Sequence, residues 1–575
     1  MHALRQSFRR LMRLYSFKRV SRSAVSTPFR VTAVAQSDFS GPNLRSRPSR
    51  AAVIVRFGAF ALVFLLYFVR LGAGTLWDNS EPTYGEIVKE LFRTNDWLTL
   101  HFNYQPWFIH PPLWFWTAGA AGGLFGLSES SLRLPSALFG LLGAVATYFA
   151  ARRLYGETAG VIACLAVGTA LEYIVLARLA VLDSMLLCLM TVSGFWIYFA
   201  VRDGDRAAFW SAVVAAALGT LTKGPIAVVL PVLTLFVYCL WTRRTGALPL
   251  RLWLAGALMY LLIAGSWFAA ETLTFGTGFL RAYFGMSTVG RFLSPFENQP
   301  GPIYYYVPVA LIGFFPYVAF LPKALKDAWR SRTDDERYLL CSIGIPLLFF
   351  SFAQTKLPNY IAVIFPACAV LVGRLFAQAC ARNDLRMLRG ALIGLPASLL
   401  LVAIGVILYA RTEHASELRL LGPALSLLGW AMLPAAALTL LVTLLSRRMW
   451  VAPVGLGVMM AGFVAALTFS ILPRIETLKP MRAMSKTVMS YWRPGDRIGV
   501  TGVAGGFSLL FYTEARGVTF VGTAHADESP QQFFGEPGRL LCVILPQDVE
   551  GLQKIGIHVR VLARRPKMWL VTNSR

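Results

Sequence analysis

The chain has 575 residues, of which 56% are hydrophobic and 15% are charged. Soluble proteins carry about 25% charged residues, so this composition excludes a disordered chain and an ordinary soluble enzyme. The net charge of +26 lies largely in the first 50 residues and in short loops between apolar runs. That distribution is typical of a helical membrane protein with basic cytoplasmic loops, and it does not predict a nucleic-acid partner.

The N-terminal segment, 1–50, is rich in Lys, Arg and Ser and has one acidic residue, Asp38. Mitochondrial transit peptides have a similar composition, and a start codon placed too far upstream would give the same picture. The first apolar run, 51–69, has full transmembrane length and no small-residue cleavage site behind it. We therefore predict a basic, disordered cytoplasmic extension followed by a signal anchor.

Apolar segments long enough to cross the bilayer as helices recur up to residue 472. Residues 112–126 are apolar but short and begin after Pro111, so we predict a helix that lies in or dips into the membrane interface. With this assignment, the loops on the side of the N-terminus hold more Lys and Arg than the outer loops, as the positive-inside rule requires. We predict about 13 transmembrane helices, near 51–69, 133–151, 158–176, 182–201, 207–221, 225–241, 252–270, 303–321, 338–353, 358–376, 389–410, 421–446 and 451–472.

The character of the sequence changes after residue 472. Short runs rich in β-branched residues alternate with helix-like segments over 473–575, which predicts a small α/β domain. An odd number of spans places this domain on the outer side of the membrane. The long loop 71–132 lies on the same side.

Two carboxylates follow the first span closely, Asp78 and Glu81. Residues three apart share one side of a helical turn, and carboxylates beside a bilayer are costly unless they serve a cation, a proton or a substrate. The same spacing matches a helix-capping box, with Pro82 at the start of the helix. The residues alone leave both interpretations open.

Isolated charges occur where outer loops meet the predicted spans. One such residue can snorkel to the interface or pair locally, but several converging cations would bind an anion such as a lipid phosphate. An aromatic-rich stretch with two histidines accompanies them, as in an interface belt or a groove facing lipid. The residues concerned are His101, His110, Arg133, Arg178, Asp183, Lys223, Arg281, Arg291 and Lys356.

Several short segments also occur in a characteristic order. They are Asp78-x-x-Glu81-x-x-Tyr84-Gly85-Glu86, Asp96-Trp97-Leu98-Thr99, His110-Pro111-Pro112-Leu113-Trp114, Arg133-Leu134-Pro135-Ser136, Ala177-Arg178 to Asp183, Thr222-Lys223-Gly224-Pro225 and Lys356-Leu357-Pro358-Asn359-Tyr360. This order resembles the bacterial relatives of the protein O-mannosyltransferases, which are GT-C glycosyltransferases that use polyprenyl-phosphate sugars. By size and layout, the chain is most similar to the lipid A 4-amino-4-deoxy-L-arabinose transferases.

The resemblance implies a fold and a reaction. The fold would be a polytopic α-helical membrane domain of GT-C type over 51–472 with a small periplasmic α/β domain over 473–575, in the bacterial inner membrane. The reaction would be an inverting transfer of a sugar from undecaprenyl phosphate to an acceptor at the periplasmic face, with lipid A phosphate the first choice. The phosphodiester supplies the energy, so no cofactor is required, although a divalent metal between carboxylates stays open.

The resemblance also implies roles for individual residues. Asp78 would act as general base or position the acceptor, with Glu81 and Asp183 supporting the acceptor or the sugar. His110 stands where the family usually has Lys, so either His110 is protonated or other cations replace that lysine. The residues expected to bind the substrate and its lipid phosphate are Tyr84, His110, Arg178, Lys223, Arg291, Lys356 and Tyr360.

Two alternatives stay open at this point. A protein O-mannosyltransferase-like enzyme or another cell-envelope glycosyltransferase would share the same segments. A transporter or flippase for a lipid-linked sugar is less favoured, because transporters place ionisable residues near the middle of the membrane and show internal repeats. In this sequence the charges cluster at the ends of spans on one side.

Overall fold

The computed structural model describes most of the chain from residue 50 onwards. The predicted extension before residue 50, Asp78 and Arg291 lie outside the described residues, as do the predicted spans near 389–410 and 421–446 apart from isolated positions. The described residues are 50–76, 80–244, 248–290, 301–384, 451–477, 481–502, 506–513, 517–522, 527–565 and 568–573, with isolated positions between 387 and 441.

The apolar runs form a bundle of helices. In chain order the helices are α1 Arg50–Phe68, α2 Ser80–Thr94, α3 Leu113–Phe125, α4 Glu129–Tyr155, α5 Glu157–Gly168, α6 Leu171–Arg178, α7 Asp183–Asp203, α8 Arg206–Lys223, α9 Ile226–Thr242, α10 Leu250–Leu280, α11 Tyr306–Gly313, α12 Leu321–Ser331, α13 Asp334–Phe352, α14 Phe365–Arg382 and α15 Val451–Ala466. Helices α2 and α3 lie in the segment between α1 and α4, and the others form the bundle. Short 3₁₀ and π turns complete it at Arg281–Gly290, Tyr317–Phe320, Pro358–Ile364 and Leu467–Ile471.

Helix ends in the bundle follow local sequence signals. Ser128 caps α4 through a capping box with Ser131, and Asp205 caps α8 by accepting the N–H of Ala208. Gly204 ends α7 with a positive φ of 70°, a backbone conformation that costs glycine little. These signals fix where α4 and α8 start and where α7 stops.

Among the described residues, five helices are long and apolar enough to cross a membrane, or seven if each of two bent helix pairs is one span. The chain is therefore a helical membrane protein. The figure of about 13 spans stays a prediction, since two of those spans fall largely outside the described residues.

Two predicted spans are bent. The run 158–176 forms α5 and α6, which meet at 64°, and the run 303–321 breaks between α11 and the helical stretch Tyr317–Ser331, with a bend of 110°. The two bends contact each other: Thr169 and Tyr317 share a hydrogen bond of 2.9 Å between their hydroxyls. The N–H of Leu171 donates to the carbonyl of Phe315 at 3.0 Å. Hydroxyl and main-chain groups released by the bends are thus satisfied inside the bundle, as a membrane interior requires.

The segment between α1 and α4 packs on the bundle at the end where α1 finishes and α7 begins, here called the upper end. It contains the amphipathic α2, a short hairpin of β1 His101–Phe102 and β2 Gln105–Pro106, and α3. Helix α3 has 13 residues, or about 20 Å, which is shorter than the roughly 30 Å hydrocarbon core. Its buried residues join an apolar cluster with α2, α7 and α8.

The C-terminal residues form a mixed α/β layer. Five strands pair in the order β4-β3-β5-β7-β6, parallel between β4, β3 and β5 and antiparallel through β7 and β6. Apolar clusters cover both faces of this sheet. The elements are α16 Leu472–Thr477, α17 Met481–Tyr491, β3 Arg497–Val500, α18 Gly506–Tyr512, β4 Thr519–Phe520, α19 Pro530–Gly535, β5 Leu540–Ile544, α20 Pro546–Lys554, β6 Arg560–Arg565 and β7 Met568–Thr572.

Candidate functional site

Glu81 is held by a buried ion pair with Arg133. Arg133 donates from Nε and Nη2 to the two carboxylate oxygens at 2.9 and 3.0 Å, and the N–H of Ala180 donates to Oε1 at 2.7 Å. Both side chains are almost fully buried. The same guanidinium donates to four carbonyl oxygens of the preceding loop, those of Leu71, Ala73, Gly74 and Thr75.

This arrangement anchors the chain on both sides of Asp78. Glu81 lies in the first turn of α2 and Arg133 in α4, so the pair ties α2 and the loop before it to the bundle. The N–H of Leu76 also donates to the hydroxyl of Tyr512 at 2.9 Å. Asp78 itself is outside the described residues, and its catalytic role stays a prediction.

A second cluster joins Asp183, Lys223 and Tyr360. Lys223 at the end of α8 donates to Oδ1 of Asp183 at 2.6 Å, and the side-chain amide of Asn359 donates to the same oxygen at 2.8 Å. The ammonium of Lys223 also lies 5.4 Å from the ring centroid of Tyr360, within cation–π range. Three residues predicted from separate segments are therefore brought together at the upper end of the bundle.

Lys356 lies at the end of α13. Its ammonium donates to the carbonyl oxygens of Phe350 at 3.0 Å and Ser351 at 2.6 Å, and it lies 5.5 Å from the ring centroid of Tyr306. Burial lowers the pKa of Lys356. Two of the three N–H groups thus satisfy carbonyls at a helix C-terminus, a position that favours a cation, and the third is available geometrically for a ligand.

Arg178 is occupied at the end of α1. Its guanidinium donates to the carbonyl oxygen of Leu66 at 2.6 Å and to that of Val69 at 3.1 Å. A weaker contact of 3.5 Å reaches the hydroxyl of Thr468. In this arrangement Arg178 neutralises the C-terminal dipole of α1, and Asp183 pairs with Lys223. The phosphate-binding role of Arg178 stays a prediction.

Tyr84 and His110 are part of an aromatic cluster between α2 and α3. Their ring centroids are 6.1 Å apart, and His110 is 5.7 Å from Trp107. Trp114 and Phe115 close the cluster around Tyr84 at 5.8 and 5.5 Å. The imidazole of His110 is buried, so this structure places it in an aromatic wall of the upper end.

The α/β layer contacts α2 directly. Lys89 donates to the carbonyl oxygens of Leu510, Phe511 and Thr513 at 2.8, 3.0 and 3.3 Å, and it forms an ion pair with Glu86. Burial raises the pKa of Glu86 to about 7 and lowers that of Lys89. A single buried ammonium therefore joins α2 to the C-terminal end of α18.

Comparison with known proteins shows which proteins this chain is similar to. The sequence profile described as dolichyl-phosphate-mannose-protein mannosyltransferase matches residues 109–269. The undecaprenyl phosphate-alpha-4-amino-4-deoxy-L-arabinose arabinosyl transferase of Erwinia tasmaniensis is 30% identical over 371 residues, 61% of this chain and 64% of the relative. The protein of the same name from an Enterobacter species is 27% identical, with 76% and 80% covered.

A solved structure extends the likeness to nearly the whole chain. The crystal structure of ArnT from Cupriavidus metallidurans bound to undecaprenyl phosphate matches 92% of this chain and 99% of its own, with a TM-score of 0.79 and 25% identity. The chain therefore resembles the GT-C glycosyltransferases in sequence and fold. The family resemblance predicted from the sequence is thereby confirmed. The match to the Erwinia relative nevertheless spans less than two thirds of that protein's length.

Sequence reasoning missed two residues of this candidate site. Asn359 lies in the segment that marks the family, but its bond to Asp183 could not be read from its position. Glu172 lies inside the apolar run 158–176, and both of its carboxylate oxygens are buried without a hydrogen-bond donor among the described residues. A lone acid inside a predicted span was the available signal, because such residues are rare unless they are functional.

No group of three or more His, Cys, Asp or Glu side chains that could hold a metal ion occurs in the described part of the chain. The site has two buried pairs of opposite charge, Glu81 with Arg133 and Asp183 with Lys223. Lys356, three residues before the Asn359 that bonds Asp183, adds a further cation. Such an arrangement can orient a substrate and stabilise a developing negative charge.

Proposed function

We propose that the protein transfers 4-amino-4-deoxy-L-arabinose from undecaprenyl phosphate to a phosphate of lipid A. The observation that carries the proposal is the likeness to ArnT of Cupriavidus metallidurans, which extends over 92% of the chain. The names of the Erwinia and Enterobacter relatives support the same sugar and carrier. The reaction takes place at the periplasmic face of the bacterial inner membrane, with 71–132 and 473–575 on that side.

In the proposed reaction, an acceptor oxygen attacks the anomeric carbon of the sugar from the face opposite the phosphate. The bond between the anomeric carbon and the phosphate oxygen breaks, its electron pair stays on that oxygen, and undecaprenyl phosphate leaves. The configuration at the anomeric carbon inverts. The phosphodiester provides the driving force, so neither ATP nor a nucleotide sugar takes part.

Asp78 directs the acceptor in this scheme. A lipid A phosphate is already an anion, so Asp78 positions it and needs to remove no proton. A hydroxyl acceptor would instead require Asp78 as general base. The Glu81–Arg133 pair supports this function because it fixes the chain on both sides of the segment that contains Asp78. Glu81 therefore acts chiefly as a positioning residue.

The leaving phosphate is stabilised by cations at the upper end of the bundle. Lys223 and Lys356 are the main candidates. Tyr360 contacts the ammonium of Lys223, and Asn359 orients Asp183, the ion-pair partner of Lys223. Preorganised cations are effective where negative charge develops, because they need not reorient during the reaction. Arg291, which lies outside the described residues, is a further candidate in another predicted outer loop.

Mass spectrometry of lipid A tests this function. A deletion strain should lose the lipid A species that carries the amino sugar, and the intact gene should restore it. Asp78→Asn should fail to restore it, whereas Asp96→Asn, a carboxylate on the same loop that caps a turn at Thr99, should succeed. Unchanged lipid A in the deletion strain would overturn the proposal.

A second candidate is transfer of a sugar to protein hydroxyl groups. The family profile over 109–269 carries a protein mannosyltransferase description, and this favours the alternative. The same deletion strain separates the two, because loss of glycoproteins with intact lipid A would support protein O-glycosylation.

A further inference from the structure

Glu172 is a buried carboxylate that the scheme above does not use. It lies in the first turn of α6, just after the bend with α5. Both carboxylate oxygens are inaccessible to solvent, and no donor in the described ranges reaches them. A charged group inside a membrane protein is costly without a partner. The missing partner is therefore the feature that requires an explanation.

The surrounding helices leave room for this carboxylate. A Cβ atom built on Gly313, the last residue of α11, would lie 2.1 Å from Oε2 of Glu172, so any larger residue there would displace the carboxylate. Asp183, Tyr305 and Tyr306 are close enough to Glu172 to interact with it electrostatically. Glu172, in α6, therefore lies near the cluster formed by Asp183 of α7 and Lys223 of α8.

Glu172 adds a negative charge that belongs to neither ion pair of the site. Asp183 is paired with Lys223, and Glu81 is paired with Arg133. Glu172 adds a carboxylate without a cation. A donor of the proposed kind carries two charges, a negative phosphodiester and a positive amine on the sugar. The lysines match the first charge, and Glu172, which lies near Asp183, can match the second.

We propose that Glu172 binds the ammonium group of the donor sugar, an inference that rests on the proposed function. The sugar would then lie between Glu172 and the phosphate-binding lysines. A buried group that forms a specific polar contact discriminates strongly against substrates that lack the matching group. Glu172 would therefore select an amino sugar over a neutral sugar of the same size.

Steady-state kinetics with two donors test this assignment. The donors are undecaprenyl-phosphate-4-amino-4-deoxy-L-arabinose and undecaprenyl-phosphate-L-arabinose, in which a neutral hydroxyl group of similar size replaces the charged amine. Glu172→Gln keeps the shape of the side chain and removes its charge. We expect its KM for the amino donor to rise roughly ten- to a hundredfold, because one hydrogen bond between charged groups is lost. Its kcat should stay close to that of wild type. Its preference for the amino donor should disappear.

Controls separate a binding role from damage to the fold. Inhibition by undecaprenyl phosphate, which has no sugar, should be the same in Glu172→Gln and wild type. Glu157→Gln changes a carboxylate at the start of α5 that pairs with Arg152. This variant should leave both KM values unchanged. Should Glu172→Gln not fold, Glu172→Asp provides the test, since it keeps the charge and should keep the preference for the amino donor.

Two results would overturn the assignment. One is a Glu172→Gln variant that undecaprenyl phosphate still inhibits and that still prefers the amino donor. If only Glu172→Asp folds, the corresponding result is a Glu172→Asp variant that undecaprenyl phosphate inhibits and that has lost this preference. The other is a wild-type enzyme that uses both donors with equal KM. A wild-type protein that modifies lipid A from neither donor would instead refute the proposed function.

Discussion

Replacing Lys223 by Met distinguishes a ligand for the lipid phosphate from a residue that only neutralises Asp183. The Lys223 ammonium lies 2.6 Å from Asp183, and the two side chains are 13% and 9% exposed. Removing one partner of a buried pair costs about 3–5 kcal/mol, because the remaining charge is uncompensated. The bond from Asn359 to Asp183 offsets part of this cost. A lost phosphate contact would separately weaken lipid binding by about 1.5–3 kcal/mol, or roughly ten- to a hundredfold.

The assay is direct binding of undecaprenyl phosphate to purified protein, together with the midpoint of thermal unfolding. Four proteins are compared: wild type, Lys223→Met, Asp183→Asn and the double variant. The double variant has no uncompensated charge, so its unfolding midpoint should recover. Its affinity for undecaprenyl phosphate should stay low, because the phosphate still lacks its cation. Lys323→Met, which removes a lysine paired with Asp327 on α12, is the matched control.

One result would refute this reasoning. If the double variant binds undecaprenyl phosphate as tightly as wild type, Lys223 acts on Asp183 alone. Lys356 would then be the principal phosphate ligand among the described lysines of the upper end. Wild-type affinity in Lys223→Met would lead to the same conclusion.

Three further outcomes are expected. Asp78→Asn should lower kcat by about 10²-fold, the cost of misplacing the acceptor, with undecaprenyl phosphate binding intact, and normal turnover in purified Asp78→Asn would show that Asp78 is a helix cap. Arg133→Met should lower the thermal unfolding midpoint, since an unpaired buried Glu81 costs about 3–5 kcal/mol; an unchanged midpoint would contradict the anchoring role. Burial raises the pKa of Glu86 from 4.5 to about 7, so the folded protein binds more protons than the unfolded chain between these values. Its stability should rise as the pH falls from about 7 to about 5, and Glu86→Gln should flatten that slope in thermal melts; an identical slope would exclude Glu86 as its source.

The apolar runs predicted where most described helices lie, but not how two of them bend. Hydrophobicity over 158–176 and 303–321 reports a non-aqueous environment and contains no information on the direction of a helix axis. The bends depend on contacts such as that between Thr169 and Tyr317, whose positions differ by 148 residues. A local pattern cannot reveal a partner that distant. The short length of α3, in contrast, was readable because a span needs a minimum number of residues.

The candidate site shows the same division. The order of family segments predicted that Asp183, Lys223 and Tyr360 share one region, and they form one cluster. Their pairing was not predictable, because Arg178 lies only five residues before Asp183 and residue type does not exclude it as the partner. Glu81 likewise fitted a capping box, whereas the structure gives it a bidentate partner 52 positions away. Residue type and spacing indicate chemistry, and tertiary packing decides which charges meet.

The junction at Lys89 has a practical consequence for anyone who shortens this protein. Its ammonium is satisfied by three carbonyls of the α/β layer, and the N–H of Leu76 depends on Tyr512. Cutting the chain after the last membrane helix would leave these groups exposed on a surface that evolved to be covered. Expression work should therefore keep the C-terminal hundred or so residues attached. If they are removed, Lys89 should be replaced as well, since its carbonyl partners are lost. The two parts differ in architecture but do not constitute separable modules.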